Sequence, residues 1–551
     1  MPNDASASEN NTDLAPAKKI AQGYASEGAG ISLGSVLVDG KADPEAQVSI
    51  PLSMMNRHGL VAGATGTGKT KTLQLIAEQL SVNGVPVVMA DMKGDLSGLA
   101  KPGEDSDKAR GRAEQTGADW APAGHPVEFL SLGTEGIGVP LRARVSSFGP
   151  ILLSKVLGLN STQESTLGLV FHWADEQGLE LYDLKDLRAV LQHLTSDEGK
   201  EDLKGIGGVS SQTAGVILRS LVNLSNNGGD TFFGDPELDP ADLRKVVDGK
   251  GTISLVELGD QATRPVLFST FLMWVLAELF QDLPEKGDAD KPELVFIFDE
   301  AHLLFEDASK AFLDQVEQTV KLIRSKGVGV FFCSQLPTDI PGDILSQLGA
   351  RVQHALRAFT PEDQKALSKT VKTYPKSEVY DLEEAITGAG TGEAIVTVLS
   401  ERGAPTPVAW TLMNPPTSLM NTIGNEAITA AAKESEAWGK YGETVDPLSA
   451  YGKLAEQAEK AGAGSGEAGA GGAAGTGGGA QDAPAAEQAP AKEAPREDSG
   501  ERRKGGEREE EGSFVSRAMS NPATRSFMRS AASAAGREIT RSLFGTRRRR
   551  R

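Results

Sequence analysis

Two spacings of hydrophobic residues alternate along this chain. Short apolar runs, most of them free of in-out alternation, occur at His58–Ala62, Val85–Ala90, Val127–Leu132, Gly251–Leu258, Glu293–Phe298 and Gly327–Cys333. A run without alternation is what a parallel strand covered on both faces requires. Between the runs, apolar residues return every three or four positions. Leu73, Ile76, Ala77 and Leu80 follow the first, a helix opens at Pro265, and others are predicted over Ser309–Ser325 and Pro361–Lys369. Strand–helix alternation predicts an α/β fold with a mainly parallel sheet. From Ser146 to Asp248 the pattern is helical throughout. Ser161-Thr162-Gln163-Glu164 reads as a capping box before Leu167, Val170, Phe171 and Ala174. Asp183 caps a second helix through Leu187, Val190, Leu191 and Leu194, and Thr213–Leu224 makes a third. This predicts a helical bundle inserted into the α/β core.

The remaining segments complete the outline. Short β-rich pieces between Ile31 and Ile50 predict a small strand-rich lead-in, and Gly98–Asp119 reads as a loop. Glu393–Ser400 and Val408–Leu412 read as late strands. The domain reading is a disordered N-terminus over 1–17, a first part of the core over 18–145, the helical insertion over 146–248, and a second part of the core over 249–445. A flexible linker over 446–512 and a basic amphipathic tail over 513–551 follow. From about Ala461 the composition collapses to Gly, Ala, Glu and Pro, which cannot bury a core. The most apolar stretch, Val266–Phe280, carries Ser269, Thr270 and Glu278, so a buried helix is expected and no transmembrane segment.

Charge changes the picture once. The net charge is −20, yet Ser513–Arg551 holds ten arginines and one glutamate, leaving about −29 on the rest. Such a body does not attract polyanions over its whole surface, so nucleic acid would have to meet local basic loops. In the tail, Met528, Ala532, Ala535, Ile539 and Leu543 share one side of a helix, and Arg547–Arg551 close the chain. That tail suits nucleic-acid phosphates, an anionic membrane surface, or solvent alone. The single cysteine, Cys333, excludes a disulfide framework and fits a reducing compartment. The polar Met1–Lys18 segment lacks a signal peptide's apolar core, and a cytoplasmic location is expected.

Candidate chemistry centres on Gly63-Ala64-Thr65-Gly66-Thr67-Gly68-Lys69-Thr70, which fits G-x-x-x-x-G-K-[ST] between a strand and a helix. Its glycines let backbone N–H groups point inward, and the following helix adds its positive end. Ala64, Thr65, Gly66, Thr67, Gly68, Lys69, Thr70 and Lys71 are the expected nucleotide-binding residues. Lys69 reaches the outer phosphates, and the Thr70 hydroxyl is placed for Mg2+. Asp299 ends a buried strand, where it would share that metal, and Glu300 would polarise the attacking water. Gln335 ends a neighbouring strand as a phosphate sensor or a plain loop amide. Arg324 ends a helix, either as a dipole partner or as an arginine finger toward a neighbouring subunit. Arg351 and Arg357 are second candidates for the finger. The polar stretch Asp91-Met92-Lys93-Gly94-Asp95 follows an apolar strand, where open α/β sheets bind ligands.

Met55 to Thr70, Asp91-Met92-Lys93-Gly94-Asp95-Leu96-Ser97-Gly98 and Phe296-Ile297-Phe298-Asp299-Glu300-Ala301-His302 together resemble the YjgR-type branch of the HerA/FtsK ATPases. Lys321 to Gly329 and Thr391 to Val396 extend the likeness over roughly residues 18–416. The resemblance implies a RecA-like P-loop NTPase core, ATP and Mg2+ as cofactors, a homo-hexameric ring and ATP-driven movement of DNA through a central channel. It also implies Arg324 as a finger acting in trans. HerA proper has a fuller N-terminal β-barrel, and its acidic turn here reads Lys93-Gly94-Asp95; both departures weigh against a nuclease partner such as NurA. A protein-remodelling or secretion-type motor, or a low-turnover nucleotide-binding scaffold, are the rival outputs.

Overall fold

The buried apolar runs lie side by side. In the computed structural model, which describes residues 15–203, 207–259, 265–287, 289–306 and 310–465, they form the middle of a twelve-stranded sheet. Its strands are β1 (Gly30–Val38), β2 (Lys41–Pro51), β3 (Gly59–Ala62), β4 (Val87–Asp91), β5 (Val127–Leu132), β6 (Val139–Leu141), β9 (Ile253–Glu257), β10 (Leu294–Phe298), β11 (Val328–Ser334), β12 (Ala350–Gln353), β13 (Glu393–Thr397) and β14 (Ala409–Met413). A separate two-residue ribbon pairs β7 (Val246–Val247) with β8 (Lys250–Gly251). The spatial order is β2-β1-β14-β13-β12-β3-β11-β10-β4-β9-β5-β6. From β12 to β6 every pairing is parallel, and from β12 to β2 every pairing is antiparallel.

Composition explains that division. Every residue of β3, β4, β9, β10 and β11 is buried, as continuous apolar sequence demands of strands with helices on both faces. Phe296, Phe298 and Phe332 stack across β10 and β11 with ring centroids 5.8 and 5.7 Å apart. β2 instead alternates toward exposure, consistent with a sheet edge. The expected lead-in is therefore not a separate module: β1 joins β14 and extends the main sheet.

The 146–248 region supplies helices Val145–Val156, Ser161–Glu176, Leu184–Thr195 and Ser211–Leu224. Their buried leucines belong to the same hydrophobic core as the sheet. Two expectations need correction. The capping box starts one residue earlier, at Asn160, whose side chain accepts from the Gln163 N–H while Gln163 returns the bond. Glu164 turns instead to Ser154 and Lys155, each at 3.0 Å. Within the expected loop 98–119 lies a helix, Asp107–Thr116, whose buried face consists only of Ala109, Ala113 and Thr116.

At the ends, Pro16–Gln22 is helical and buries Ala17 and Ile20, so order begins inside the span expected to be disordered. The linker expected from 446 contains the helix Ala450–Ser465, of which Ala455–Ser465 falls outside the compact unit ending at Leu454. The basic tail lies outside the described residues. Among the described residues, no helix is long and apolar enough to cross a membrane.

Candidate active site

β3 carries the glycine loop to the C-terminal edge of the parallel sheet. β11 lies between β3 and β10, with Ser334 opposite Ala62 and Phe332 opposite Phe298. Two strand spacings, about 10 Å, therefore separate the strand that delivers Lys69 from the strand that delivers Asp299. Both residues end up on the same edge. Gly63, Gly66 and Gly68 hold φ of 152°, 79° and 117°, conformations that side-chain-bearing residues resist. Gly63 is also enclosed: a Cβ there would meet the His354 Cβ at 2.6 Å.

The loop is braced from three sides. Ala64 N–H donates to the Ala355 carbonyl at 2.8 Å, and Gly63 N–H donates to the Gln335 carbonyl at 3.2 Å. Gly392 N–H donates to the Thr67 carbonyl at 3.0 Å. Arg112, on the helix absent from the sequence reading, donates to the Gly392 carbonyl at 3.1 Å. Burial holds His354 down to about 4, so its ring is neutral; it bridges Thr72 at 2.9 Å and the Glu393 carbonyl at 2.8 Å. The helix Lys69–Val82 then starts directly behind Gly68.

Lys69 is buried and rests its ammonium on the Ala64 carbonyl at 3.2 Å. Thr70 is half-buried at the first helical turn, and Thr65 and Gly66 are exposed at the loop tip. Lys71 departs from the expected nucleotide set in its side chain, which donates to the Met420 carbonyl at 2.7 Å and to Gln74 at 3.3 Å. It ties down a strap that crosses the helix, where buried Glu78 accepts from Thr417 and Ser418 N–H groups at 2.7 and 3.1 Å.

Asp299 is 3% exposed. Its Oδ1 accepts the Glu300 N–H at 2.9 Å, whereas Oδ2 is buried with no hydrogen-bond partner among the described residues. Burial first, then the Glu300 charge, pushes its carboxyl up to about 6. A buried hard oxygen without a partner, on the same edge as the Thr70 hydroxyl, is the donor set Mg2+ uses. The residues fit that ion. Glu300 is 6% exposed and holds a positive φ of 47°, rare outside glycine. Its Oε1 pairs with the Lys93 ammonium and its Oε2 lies 3.3 Å from His302 Nδ1. Gln335 follows β11 and is exposed between the glycine loop and the acidic pair.

Sequence reasoning gave no role to Glu257, the last residue of β9. It stands opposite Asp91 in register and is 4% exposed. Burial, with Asp91 and Asp95 beside it, pushes its carboxyl up to about 8. A carboxyl raised in the folded state contributes stability below its unfolded value near 4.3, and that stability is lost as pH rises through the folded one. Melting temperature should therefore fall progressively from about pH 4.5 to about pH 8 and level off above it, and Glu257→Gln should flatten that fall. An unchanged slope in the variant would place the titration elsewhere.

Arg324 lies at the other edge of the sheet. It ends the helix Lys310–Ile323 and precedes β11, whose seven residues span roughly 23 Å. There it lines a cavity of about 520 Å³ with Arg57, Lys321, Arg351 and Tyr374. His58 also lines the cavity, buried and held down to about 4 by burial, with ring nitrogens on the Val320 carbonyl at 2.8 Å and Val330 N–H at 3.1 Å. Arg351 donates to the Thr373 and Leu345 carbonyls at 3.2 and 3.4 Å. Arg357 is exposed on the opposite edge, beyond β12.

A glycine loop opening a helix, an acidic pair two strands away and a parallel sheet between helices define a P-loop ATPase. The helicase HerA-like C-terminal family model matches residues 37–551, and the chain belongs to that family. It is 24% identical over 400 residues to the DNA double-strand break repair helicase HerA of Pyrococcus furiosus, covering 67% of each chain. It is 20% identical over 374 residues to the protein of the same description from Sulfolobus acidocaldarius, covering 66% of this chain and 67% of the other. Among solved structures, the plasmid coupling protein TrwB in complex with ADP and Mg2+ matches at 17% identity and a TM-score of 0.48, covering 74% and 94%. VirB4 of Thermoanaerobacter pseudethanolicus matches at 16% identity and a TM-score of 0.44, covering 70% and 97%.

Proposed function

We propose that this protein hydrolyses ATP at the interfaces of a homo-hexameric ring and uses the cycle to move DNA. The observation that carries the reading is the division of its chemistry between two edges of one sheet. Lys69, Thr70, Asp299 and Glu300 stand on one edge, whereas Arg324 with Arg57 and Arg351 stands roughly 23 Å away on the other. Within one chain those arginines do not reach the glycine loop. In a head-to-tail ring, one subunit's arginine edge faces the next subunit's loop, and each site becomes complete.

In this reading the backbone N–H groups of residues 64–71 cradle the phosphates, and Lys69 contacts the outer ones. Thr70 and Asp299 hold Mg2+, which when bound neutralises charge on the phosphate oxygens. Glu300 takes the proton of the attacking water, Gln335 orients that water beside it, and Arg324 of the adjacent subunit stabilises charge in the transition state. A cytoplasmic location goes with this reading. The DNA output is supported by the two HerA relatives, which are DNA repair helicases by description.

ATPase rates with duplex, single-stranded and no DNA, across a salt series, test it. DNA stimulation that fades steeply with salt is expected, since phosphate contacts release counterions. Absence of any DNA response, with stimulation by an unfolded protein instead, would move the output to protein remodelling. Native mass with ATP should give six copies, and a fully active monomer would dismiss the ring.

A further inference from the structure

We propose that Lys93 is a positioning residue for Glu300; the inference rests on Glu300 being the general base. Lys93 is carried by a turn built to present it. Asp91 ends β4 fully buried, and its Oδ1 accepts N–H bonds from Lys93, Gly94 and Asp95 at 3.1, 2.7 and 3.3 Å. Its Oδ2 accepts from Leu96 N–H at 2.8 Å. Gly94 closes the turn at φ 71°. β4 is the parallel neighbour of β10, with Ala90 opposite Phe298, so this turn and the acidic pair leave the sheet side by side.

The contact itself joins residues 207 apart: the Lys93 ammonium donates to Glu300 Oε1. Burial works against the charged ammonium, but the hydrogen bond and charge of Glu300, together with Asp299 and Asp95, hold it protonated more firmly than a free lysine. The Glu300 backbone gains a second anchor where Ala301 N–H donates to the Cys333 carbonyl at 2.7 Å. Glu300 thus sits in a left-handed conformation with its backbone tied to Asp299 and β11 and its carboxylate tied to Lys93. Without the ammonium, Oε1 loses its only direct charge partner among the described residues, and with just the His302 contact left at Oε2 the side chain is less firmly held toward the direction water must approach. Asp299, the neighbouring carboxylate, would repel it further.

The experiment is a double-mutant cycle on the full chain, using steady-state ATP hydrolysis and binding of a fluorescent ATP analogue. Lys93 is 46% exposed, so Lys93→Met should fold, and its melting temperature is recorded to check this. Expected is a fall in kcat on the order of 10–100-fold, as for a misplaced reacting group, with KM and analogue affinity little changed. Lys93→Arg should recover much of the loss. Combining Lys93→Met with Glu300→Gln should cost no more than Glu300→Gln alone, because one residue acts through the other. Losses that multiply would assign Lys93 to the phosphates instead and overturn the proposal, as would unchanged kcat in Lys93→Met. If Glu300→Gln alone left turnover intact, the general-base reading itself would fall, and the positioning role with it.

Discussion

Glu300→Gln should bind ATP as tightly as the parent and hydrolyse it about 10²–10⁴-fold more slowly, the contribution typical of a positioned general base. The substitution keeps side-chain volume and an oxygen that can accept from Lys93, while removing the capacity to take a proton. It also removes the charge that, after burial, raises the Asp299 carboxyl. Asp299 should then ionise more readily, so Mg2+-dependent nucleotide affinity should hold or improve. The expected signature is a protein that traps ATP: a loaded site by fluorescence, with little phosphate released. The backbone at this position, φ 47° with its N–H on Asp299 Oδ1, is common to both side chains, so the melting temperature should barely move. Turnover within a few-fold of the parent would show that the proton goes elsewhere, and the acidic pair would then be left with metal binding alone.

How far this was legible in the sequence depends on how local each signal was. β10 and β11 could be read because every residue in them is buried, which leaves an unbroken apolar run. The glycine loop and the Asp299-Glu300 pair are contiguous, and their strand contexts lie within a few residues. The Asp107–Thr116 helix was illegible because its contact face is made of small residues that a periodicity search does not register. The capping box slipped by one because Asn160 with Gln163 and Ser161 with Glu164 both satisfy the same spacing; only Ser154 and Lys155, drawing Glu164 away, decide between them. Order over Ala450–Ser465 was hidden beside a low-complexity stretch. Pairings across the sheet were beyond reach for a different reason. Lys93 with Glu300, Asp91 with Glu257, and the cluster of Arg57, Arg324 and Arg351 exist only once strand order is known. The polar turn after β4 was visible as a ligand-facing position, but its partner was not.

Arg324→Ala should lower turnover by about 10³–10⁵-fold, the range for loss of an arginine finger, with nucleotide affinity nearly intact. The reason is geometric. In its own chain Arg324 precedes β11, while the catalytic edge follows that strand, and a side chain cannot cover roughly 23 Å. In the proposed ring its effect on hydrolysis would therefore be exerted on another subunit's nucleotide. Mixing decides the matter. Lys69→Ala rings lack a competent loop, Arg324→Ala rings lack the finger, and each alone should be inactive. A mixed ring contains interfaces where an Arg324→Ala subunit presents an intact loop to a Lys69→Ala neighbour's intact arginine. Those interfaces should hydrolyse ATP, and activity should reappear on mixing under conditions that allow subunit exchange. A ring in which each arginine served its own chain would regain nothing. Arg57 and Arg351 line the same cavity, so their alanine variants should be complemented by Lys69→Ala in the same way if the whole edge faces the neighbour's phosphates. Complementation by Arg324→Ala but not by those two would narrow the contact to the one side chain at the end of the Lys310–Ile323 helix.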